Sequence, residues 1–251
     1  MNKVAIIQAR TASTRLPRKC LLRVCNKTIL EHIVLRLKHA NCIDTICIAT
    51  TTNAEDDIIE DTVQGMEVAI YRGSESDVLD RFYQAAKMTK ADIICRVTAD
   101  DPFKDPEIVD NFMGDFLKGG YDYLSNTIKP TYPEGIDIEI FHFNALEKAW
   151  KEATLPSEHE HVTPYIWKRP DIFRLYNEVY EEDLSDMRWT LDKAEDWVFV
   201  QQIYEYLYKE KGLFLMKDIL ELLKKHPELT KINRNTVRNE GYLKSIKEES
   251  M

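Results

Sequence analysis

Short apolar segments alternate with amphipathic segments through the first hundred residues, and this alternation constrains the fold more than any other feature of the sequence. Strand-like runs at 4–7, 45–49, 67–71 and 92–97 are separated by helix-like segments at 28–38, from 53, and at 76–89. Strands that alternate with helices predict a mostly parallel sheet with helices on both faces. We therefore expect a Rossmann-like α/β fold.

The alternation loosens beyond residue 120. Strands are predicted at 121–124, 136–143, 173–176 and 187–191, and helices at 144–154, 157–167, 194–208 and 216–225. A chain of 251 residues, 44% of them hydrophobic, can bury a full core, and it contains no repeat or flexible linker. One domain over 1–251 is the prediction, with 231–251 as a peripheral C-terminal tail.

Charge and cysteine usage limit the partners and the compartment. The formal net charge of -9 argues against a nucleic-acid-binding surface, which normally carries excess positive charge. No apolar run approaches the roughly 20 residues of a membrane helix. The five cysteines form an odd set without metal-site spacing, which favours reduced core residues in a cytoplasmic protein.

The loop that follows the first strand, QARTASTRLPRKCL at 8–21, combines cations with small residues. Arg10, Arg15, Arg18 and Lys19 surround alanine, serine and threonine. Small residues allow backbone N–H groups to approach phosphate oxygens, and the cations add charge-assisted hydrogen bonds. The loop lacks the glycines of a Walker or dinucleotide motif. We interpret it as a triphosphate-binding loop, the alternative being a solvated basic loop.

Carboxylates follow the fourth strand. Asp100 and Asp101 lie beyond its carboxyl end, where ligands of parallel α/β sheets bind. Transfer of a nucleotidyl group concentrates negative charge that a magnesium ion held by oxygen ligands can neutralise. Asp100 is therefore a candidate metal ligand. The alternative is that Asp100 and Asp101 simply begin a turn before Pro102.

These motifs resemble the cytidylyltransferases that make CMP-activated sugar acids, including CMP-Kdo synthetase and its sialic-acid relatives, and most of all their SpsF-like branch. The resemblance is carried by the segments AR at 9–10, STRLP at 13–17, Lys19, TADDP at 98–102 and RWTLD at 188–192. It implies a nucleotide-diphospho-sugar transferase type of fold and a cytoplasmic, Mg²⁺-dependent enzyme that uses CTP. It also implies a role in spore coat or other surface polysaccharide biosynthesis.

The resemblance also implies roles for individual residues. Arg10 and Lys19 bind the triphosphate, and Asp192 joins Asp100 as a metal ligand, although Asp192 alone could instead cap the helix that follows it. The catalytic set is then Arg10, Lys19, Asp100 and Asp192, and the nucleotide-binding set is Ala9, Arg10, Ser13, Arg15, Lys19, Arg72, Ser74 and Asp77. The family usually has glycine where this chain has Arg18, which either adds a phosphate contact or restricts the turn.

The segment YRGSESDVLDRF at 71–82 resembles the part of the SpsF-like proteins that lies at the edge of the nucleotide. Ser74 and the preceding glycine suit a close backbone approach to a base or ribose, and Arg72 and Arg81 can donate hydrogen bonds. The structural alternative is that Ser76 caps a helix. Asp77 and Arg81 would then form a surface ion pair worth about 0.5 kcal/mol.

Two later strings, PEGIDIE at 133–139 and EHEHVTPY at 158–165, are predicted to build the acceptor site. Alternation along a strand places Asp137 and Glu139 on one face, where they could bind sugar hydroxyls or assist deprotonation. His159 and His161 point in different directions on a helix, which disfavours zinc, and one of them is expected to contact substrate. The predicted substrate-binding residues are Asp137, Glu139, His159, His161, Tyr165 and Arg188.

The sequence thus predicts a nucleotidyltransferase that joins CMP from CTP to a sugar acid or related acceptor and releases pyrophosphate. Two alternatives stay open: a glycosyltransferase that uses a sugar nucleotide, and a noncatalytic nucleotide-binding protein. Dimers are common in the resembled family, so a homodimer is an expectation that the residues do not locate. Neither nucleic acid nor membrane is an expected partner.

Overall fold

A twisted, mostly parallel sheet forms the centre of the protein. The structure, a computed structural model, describes residues 1–234 and 236–249. Within these residues the strands are β1 (Lys3–Gln8), β2 (Arg23–Val24), β3 (Lys27–Thr28), β4 (Thr45–Thr51), β5 (Ala69–Gly73), β6 (Ile93–Thr98), β7 (Tyr123–Ser125), β8 (Glu139–His142) and β9 (Leu175–Asn177). All except the β2–β3 hairpin belong to one sheet, in the order β5-β4-β1-β6-β8-β7-β9.

The strand directions bring the ends of β1 and β6 together. β5, β4, β1 and β6 run parallel to one another, whereas β8 is antiparallel to both β6 and β7. Gln8 at the end of β1 is in register with Thr98 at the end of β6. Because parallel strands end at the same edge, the loop after β1 and the segment after β6 leave the sheet side by side.

Helices cover both faces of the sheet. They are α1 (Ile29–Leu37), α2 (Asp57–Thr62), α3 (Val78–Met88), α4 (Pro106–Gly119), α5 (Phe143–Glu152), α6 (Pro156–His161), α7 (Pro164–Trp167), α8 (Ala194–Lys211), α9 (Met216–Lys225) and α10 (Glu240–Glu249). Alternate residues of β1 face opposite layers: Ala5 and Ile7 pack in the layer with α1, α4 and α8, and Val4 and Ile6 in the layer with α3 and α5. The predicted Rossmann-like fold is confirmed. No helix within the described residues is long and apolar enough to cross a bilayer.

Helix α4 was not predicted, although its signals are present in the sequence. Asp105 accepts hydrogen bonds from two N–H groups of the first turn, Pro106 occupies the first helical position, and Gly120 ends the helix with a φ of 62°. These are favourable residues for a helix start and a helix end. The neighbouring motif at 98–102 was interpreted as a site, and the helix that these residues indicate was not predicted.

Several predicted boundaries were wrong because side chains satisfied other partners. Asp77, rather than Ser76, caps α3, and Asn53 makes no side-chain cap at the start of the 3-10 turn Ala54–Asp56. Strand β8 begins only at Glu139, so the predicted alternation from 136 does not apply to Asp137. No strand forms at 187–191, where Arg188 makes a single isolated bridge.

The helix predicted at 157–167 is two short helices. Val162 has a φ of 72°, which a helix does not accommodate, and Pro164 lacks the N–H that a continuing helix would need. The chain turns between α6 and α7 at this point. The turn directs Thr163 toward the sheet, where its hydroxyl donates to Glu139 at 2.5 Å.

The described part of residues 231–249, which was predicted to be a peripheral tail, is hydrogen-bonded to the main body. Asn233 and Arg238 hydrogen-bond to buried or half-buried carboxylates of the main body, and α10 packs against α6. A high content of polar residues suggested a solvated tail, but these polar groups are used as hydrogen-bond donors and acceptors. Asn235, Ser250 and Met251, which belong to the same prediction, lie outside the described residues.

Candidate active site

The basic loop after β1 is held from beneath by a buried carboxylate. Asp56 accepts hydrogen bonds from the backbone N–H and the hydroxyl of Thr11, both at 2.7 Å, and from the hydroxyl of Thr51. The carbonyl of Thr11 in turn accepts from the N–H groups of Ser13 at 2.9 Å and Arg18 at 3.0 Å. The loop therefore has a defined shape without glycine. Sequence reasoning missed this role of Asp56.

Arg18 occupies the left-handed backbone region, with a φ of 57°. Its side chain is exposed and lines neither of the cavities described below. Of the two interpretations offered for this residue, the structure favours a restricted turn over a phosphate contact. Glycine adopts this left-handed conformation more easily than a residue with a side chain does.

Lys19 joins two carboxylates that are distant in sequence. Its Nζ lies 2.5 Å from Asp100 Oδ2 and also contacts Asp192 Oδ1, while Arg15 Nη2 lies 2.9 Å from Asp192 Oδ2. Burial alone raises the pKa of the Asp100 carboxyl, but the Lys19 ammonium outweighs burial and lowers this pKa to about 2. Burial lowers the pKa of Lys19, and the two carboxylates outweigh that effect and raise it. The predicted triphosphate and metal residues thus form one charged cluster.

Asp192 is positioned by a buried network at the start of α8. Arg188 donates to both carboxylate oxygens of Asp196, at 2.9 and 3.0 Å, and to Glu134 at 2.6 Å. Asp196 accepts in addition from the backbone N–H groups of Asp192 and Lys193, each at 2.9 Å. The sequence predicted that Arg188 binds substrate, but in this structure Arg188 lines neither cavity. Its role here is to position Asp192.

Two adjoining cavities, of about 280 and 340 Å³, open at the carboxyl ends of β1 and β6. Asp100 and Arg96 contribute to the walls of both. The residues that line both cavities are Arg15, Arg96, Thr98, Asp100, His161 and Gly241. The arrangement provides space for two ligands that meet beside Asp100. We refer to the smaller cavity as the loop cavity and to the larger one as the acidic cavity.

The loop cavity, the smaller of the two, is lined by the basic loop. Arg10, Ser13, Arg15 and Lys19 all contribute to its wall. Ala9, also predicted to bind nucleotide, is buried behind the loop, and its N–H donates to the carbonyl of Ala49 at 3.2 Å. The structure therefore brings most of the predicted triphosphate residues to one cavity.

Most of the segment 71–82 forms its own network, and within it Val78 reaches the wall of the loop cavity. Arg72 donates to the carbonyls of Thr51 and Asn53, each at 2.9 Å, and Asp77 lies 3.0 Å from His159 Nδ1. Ser74 Oγ accepts from the N–H of Asp77. Arg72, Ser74 and Asp77 were predicted to bind nucleotide, and none of them lines a cavity.

Arg81 is buried, so the alternative of a surface ion pair with Asp77 is wrong. Its guanidinium donates to the carbonyl of Ser74, while Nε and Nη2 have no hydrogen-bond partner. Burial lowers the pKa of Arg81 to about 10, and nearby Arg10 contributes in the same direction. The guanidinium supports the loop that begins at Gly73.

The acidic cavity, the larger of the two, contains half of the predicted substrate residues. Asp137, Glu139 and His161 line it, whereas His159 and Tyr165 do not. His159 contacts Asp77 and the carbonyl of Ala153, and buried Tyr165 donates its hydroxyl to Glu152. Of the two histidines in the motif, the structure places His161 at the site.

Glu139 lies in a buried cluster that sequence reasoning recognised only in part. It is paired with Arg96, and it accepts from the hydroxyls of Tyr123 at 2.6 Å and Thr163 at 2.5 Å. Burial raises the pKa of Glu139, but these donors, Arg96 foremost, lower it overall. Arg96 was not among the predicted site residues. A cation inside an otherwise apolar strand was the available signal.

Asp101 forms a second buried ion pair beside the site. It lies 3.0 Å from Nζ of Lys104, which is completely buried and also donates to the carbonyl of Asp137. Burial raises the pKa of Asp101 to about 7, because Asp100 and Asp137 add to burial and together exceed the opposing effect of Lys104. Asp101 lines the acidic cavity.

Asp100 and Asp192 fit a cation site because they already converge on the Lys19 ammonium. Their oxygens are the donors that Mg²⁺ prefers, and one or two carboxylates completed by phosphate oxygens and water are its usual arrangement in proteins. Within residues 1–234 and 236–249, no group of three or more His, Cys, Asp or Glu side chains could hold a metal by itself. The donor set therefore suits a metal bound together with a phosphate ligand.

Comparison with known proteins identifies the family. A family model described as Cytidylyltransferase matches residues 4–240. This chain belongs to the cytidylyltransferase family. Its relatives include the spore coat polysaccharide biosynthesis protein SpsF of Bacillus subtilis, 32% identical over 236 residues, which are 91% of this chain and 97% of SpsF. An uncharacterized protein of Methanocaldococcus jannaschii is 39% identical over 96% of this chain and 98% of that protein.

A solved structure of a cytidylyltransferase from Leptospira borgpetersenii superposes on this cytidylyltransferase with a TM-score of 0.88. The two share 34% sequence identity, and the match covers 94% of this chain and 98% of the other. The match therefore includes nearly all of the sheet and both helical layers. The resemblance to cytidylyltransferases and to SpsF, inferred from the loop and strand-end motifs, is confirmed.

Proposed function

We propose that this cytidylyltransferase transfers CMP from CTP to a hydroxyl of a sugar acid or related acceptor, releasing pyrophosphate, in the biosynthesis of a surface polysaccharide or another glycan precursor. The observation that carries the proposal is the pair of cavities that meet beside Asp100. One is lined by the basic loop and the other by carboxylates. A triphosphate and a polyhydroxylated acceptor have the chemistry to bind on these two sides.

Residues of the basic loop bind the triphosphate in this proposal. Arg10, Arg15 and Lys19 line one cavity and can donate charge-assisted hydrogen bonds to phosphate oxygens. Lys19 contacts two carboxylates. An arriving triphosphate competes for its three N–H donors, and Asp100 and Asp192 become available to a cation.

Asp100 and Asp192 would hold Mg²⁺, which neutralises charge on the phosphate oxygens when it is bound. The acceptor hydroxyl oxygen forms a bond to the α-phosphorus, the bond between that phosphorus and the oxygen bridging to the β-phosphate breaks, and pyrophosphate leaves with that oxygen. The hydroxyl proton is lost to water. Arg96, in the wall of both cavities, supplies positive charge where the two ligands meet.

Asp137 orients the acceptor hydroxyl. Its Oδ1 accepts from Arg238 at 2.6 Å, whereas the one hydrogen bond of Oδ2 within the described part of the chain is a long 3.5 Å contact to the N–H of Gly135. Oδ2 can therefore accept a hydrogen bond from a ligand in the acidic cavity. Glu139 has three internal donors, so it fixes Arg96 and does not serve as a free acceptor.

The test is a pyrophosphate-release assay of the four nucleoside triphosphates against a panel of 3-deoxy-2-keto sugar acids and phosphorylated or phosphonate acceptors, with Mg²⁺ and with EDTA. We expect release with CTP, an acceptor and Mg²⁺ together. Release from CTP that does not depend on an acceptor, or a stronger response to another nucleotide, would contradict the proposal. A glycosyltransferase would give no pyrophosphate, because its donor is already an activated sugar.

Asp100→Asn tests the proposed metal role. The amide keeps the size of the side chain but removes the charge that a divalent cation needs, so turnover should fall by at least about 100-fold. Circular dichroism and the melting temperature should show a folded protein. Asp122→Asn, at the amino end of β7, is the matched control and should retain activity. An Asp100→Asn protein with wild-type turnover would reject this role.

A further inference from the structure

The acidic cavity is closed on one side by the C-terminal segment 238–249. Gly241 and Tyr242, in the first turn of α10, are part of its wall, as are Asn239 and Glu240. α10 buries none of its side chains fully, so hydrophobic packing alone does not hold it. The segment must be positioned by its polar contacts.

These contacts fix both ends of the segment. Before the helix, Arg238 donates to Asp137 at 2.6 Å, and the N–H of Asn239 donates to Glu134 at 3.0 Å. Along the helix, Ser245 Oγ lies 2.9 Å from His161 Nε2, and Glu249 accepts from the hydroxyl of Ser157 at 2.9 Å. Tyr242 lies between the two anchored ends.

The ring of Tyr242 is held by three neighbours. It packs edge-on against His161, with ring centroids 5.1 Å apart, and against Trp167 at 5.8 Å. Lys168 Nζ lies 5.4 Å from the ring centroid. Trp167 and His161 also line the acidic cavity, so the tyrosine completes an aromatic corner there.

The hydroxyl of Tyr242 is buried and has no hydrogen-bond partner among residues 1–234 and 236–249. Buried tyrosine hydroxyls usually have one, because an unpaired polar atom loses its bonds to water without replacement. Tyr204, for comparison, donates its buried hydroxyl to the carbonyl of Pro102 at 2.8 Å. An unpaired hydroxyl on a residue that lines a ligand-sized cavity is explained if a ligand supplies the partner.

We infer that Tyr242 is a specificity-determining residue, whose hydroxyl forms a hydrogen bond to the sugar acceptor while its ring and Trp167 contact an apolar face of that sugar. The inference rests on the proposed function and adds a residue to it. The C-terminal segment then selects the acceptor, and the basic loop on the far side of Asp100 binds CTP. The two substrates are recognised by opposite ends of the chain.

The chemistry of this cavity wall fits an acceptor that is a polyhydroxylated ring. Aromatic rings contact the C–H faces of sugars, and carboxylate and phenol oxygens pair with their hydroxyls. The acidic cavity offers Trp167 and Tyr242 for the first kind of contact and Asp137 for the second. A flat nucleobase or a purely aliphatic ligand would leave the Tyr242 hydroxyl without a partner.

The experiment compares Tyr242→Phe with wild-type protein, using the acceptor of the panel that gives the most pyrophosphate. Loss of one neutral hydrogen bond should raise the KM for that acceptor about three- to tenfold. The KM for CTP should stay within about twofold, because Tyr242 does not line the loop cavity. The melting temperature should not fall, since the hydroxyl has no partner to lose.

Two control variants and a truncated acceptor sharpen the result. Leu243→Ala changes the next residue of the same helix, which is 53% exposed, and Tyr206→Phe removes a hydroxyl from an exposed tyrosine of α8; both should keep wild-type kinetics. With a deoxy analogue that lacks the recognised acceptor hydroxyl, wild type and Tyr242→Phe should have equal KM values. Equal KM values would identify the missing acceptor hydroxyl as the group that pairs with Tyr242.

The outcomes separate this inference from the function on which it rests. If wild type turns over CTP and an acceptor but Tyr242→Phe has the same acceptor KM, Tyr242 is not a specificity residue and the function stands. An equal rise in both KM values would show a general structural effect and would also overturn the inference. If no acceptor yields pyrophosphate with the wild-type protein, the proposed function fails and the inference fails with it.

Discussion

Lys19 shows how one side chain can define a site at the residue scale. Its ammonium is the common partner of Asp100 and Asp192, which would otherwise repel each other. The sequence predicted all three residues as functional, but it assigned the lysine to phosphate and the aspartates to metal. The structure adds that the three side chains contact one another.

Lys19→Ala should weaken CTP binding about 10- to 100-fold, because charge-assisted hydrogen bonds to phosphate are lost. Binding of the acceptor should change much less. Isothermal titration with each substrate measures both effects, and Lys118→Ala, an exposed lysine of α4, is the control. A larger loss of acceptor affinity than of CTP affinity would contradict the assignment.

Asp101 gives the protein a predictable pH dependence. Its pKa in the folded protein, about 7, is above the ordinary value of 3.8 for an aspartate side chain. The folded state therefore retains a proton that the unfolded state releases. The stabilisation from this proton is complete below about pH 4 and is lost as the pH rises through 7.

We expect the free energy of unfolding to fall between pH 5 and pH 8 by on the order of 1–3 kcal/mol from this group. Asp101→Asn cannot release a proton, so its profile over this interval should be flatter. Urea denaturation at several pH values measures the difference, with exposed Asp171→Asn as the control. An unchanged slope in Asp101→Asn would show that another group causes the pH dependence.

At the element scale, the basic loop combines a strained turn with a rigid support. Arg18 adopts a φ of 57° while its N–H donates to Thr11, and Thr11 is anchored to Asp56. A left-handed residue with a side chain costs roughly 1–2 kcal/mol. The hydrogen bonds around the loop compensate for that strain.

Arg18→Gly should therefore raise stability slightly, by about 0.5 kcal/mol, since the relieved strain exceeds the extra freedom that glycine gives to the unfolded chain. Arg23→Gly, an exposed arginine in extended strand β2, should lower stability instead. Chemical denaturation compares the two variants. A loss of stability in Arg18→Gly as large as that in Arg23→Gly would contradict the strained-turn interpretation.

The segment at 71–82 was predicted to bind the nucleotide, but several of its polar side chains form hydrogen bonds within the protein instead. Arg72 is bonded to backbone carbonyls, and Asp77 caps α3 while contacting His159. Sequence alone showed donors and acceptors near a predicted strand end. It did not show that their partners come from the neighbouring strand and from α6.

At the scale of the whole molecule, the site is assembled from both ends of the chain. β1 and β6 end together, which brings the basic loop beside Asp100, and residues 239–242 near the other end of the described chain lie at the same edge. CTP and Mg²⁺ bound between these parts would link them. Their binding should stabilise the folded protein as a unit.

CTP with Mg²⁺ should raise the melting temperature by about 5–10 °C at a ligand concentration near 100 times the dissociation constant, which corresponds to about 2.7 kcal/mol. CTP with EDTA should give a smaller rise. Differential scanning fluorimetry measures both, and Asp100→Asn should reduce the difference between the two conditions. Equal shifts with Mg²⁺ and with EDTA would show that the nucleotide binds without the metal.

The sequence by itself determined the sheet, its helical layers and the family. Strand and helix periodicity depends on local patterns of apolar residues, and the loop and strand-end motifs are contiguous strings, so both can be read without coordinates. The same information placed Lys19, Asp100 and Asp192 in one site. Parallel strands ending at one edge made the placement of Lys19 beside Asp100 predictable, and the family resemblance added Asp192.

Only the tertiary structure decided which polar side chains face a ligand. Arg188 and His159 are engaged by other residues, whereas Arg96 and Tyr242 line the cavities. From the sequence alone, all four of these polar residues look equally able to bind a substrate. The partner that satisfies a buried polar group comes from another part of the chain, and chain folding alone establishes which groups remain unpaired.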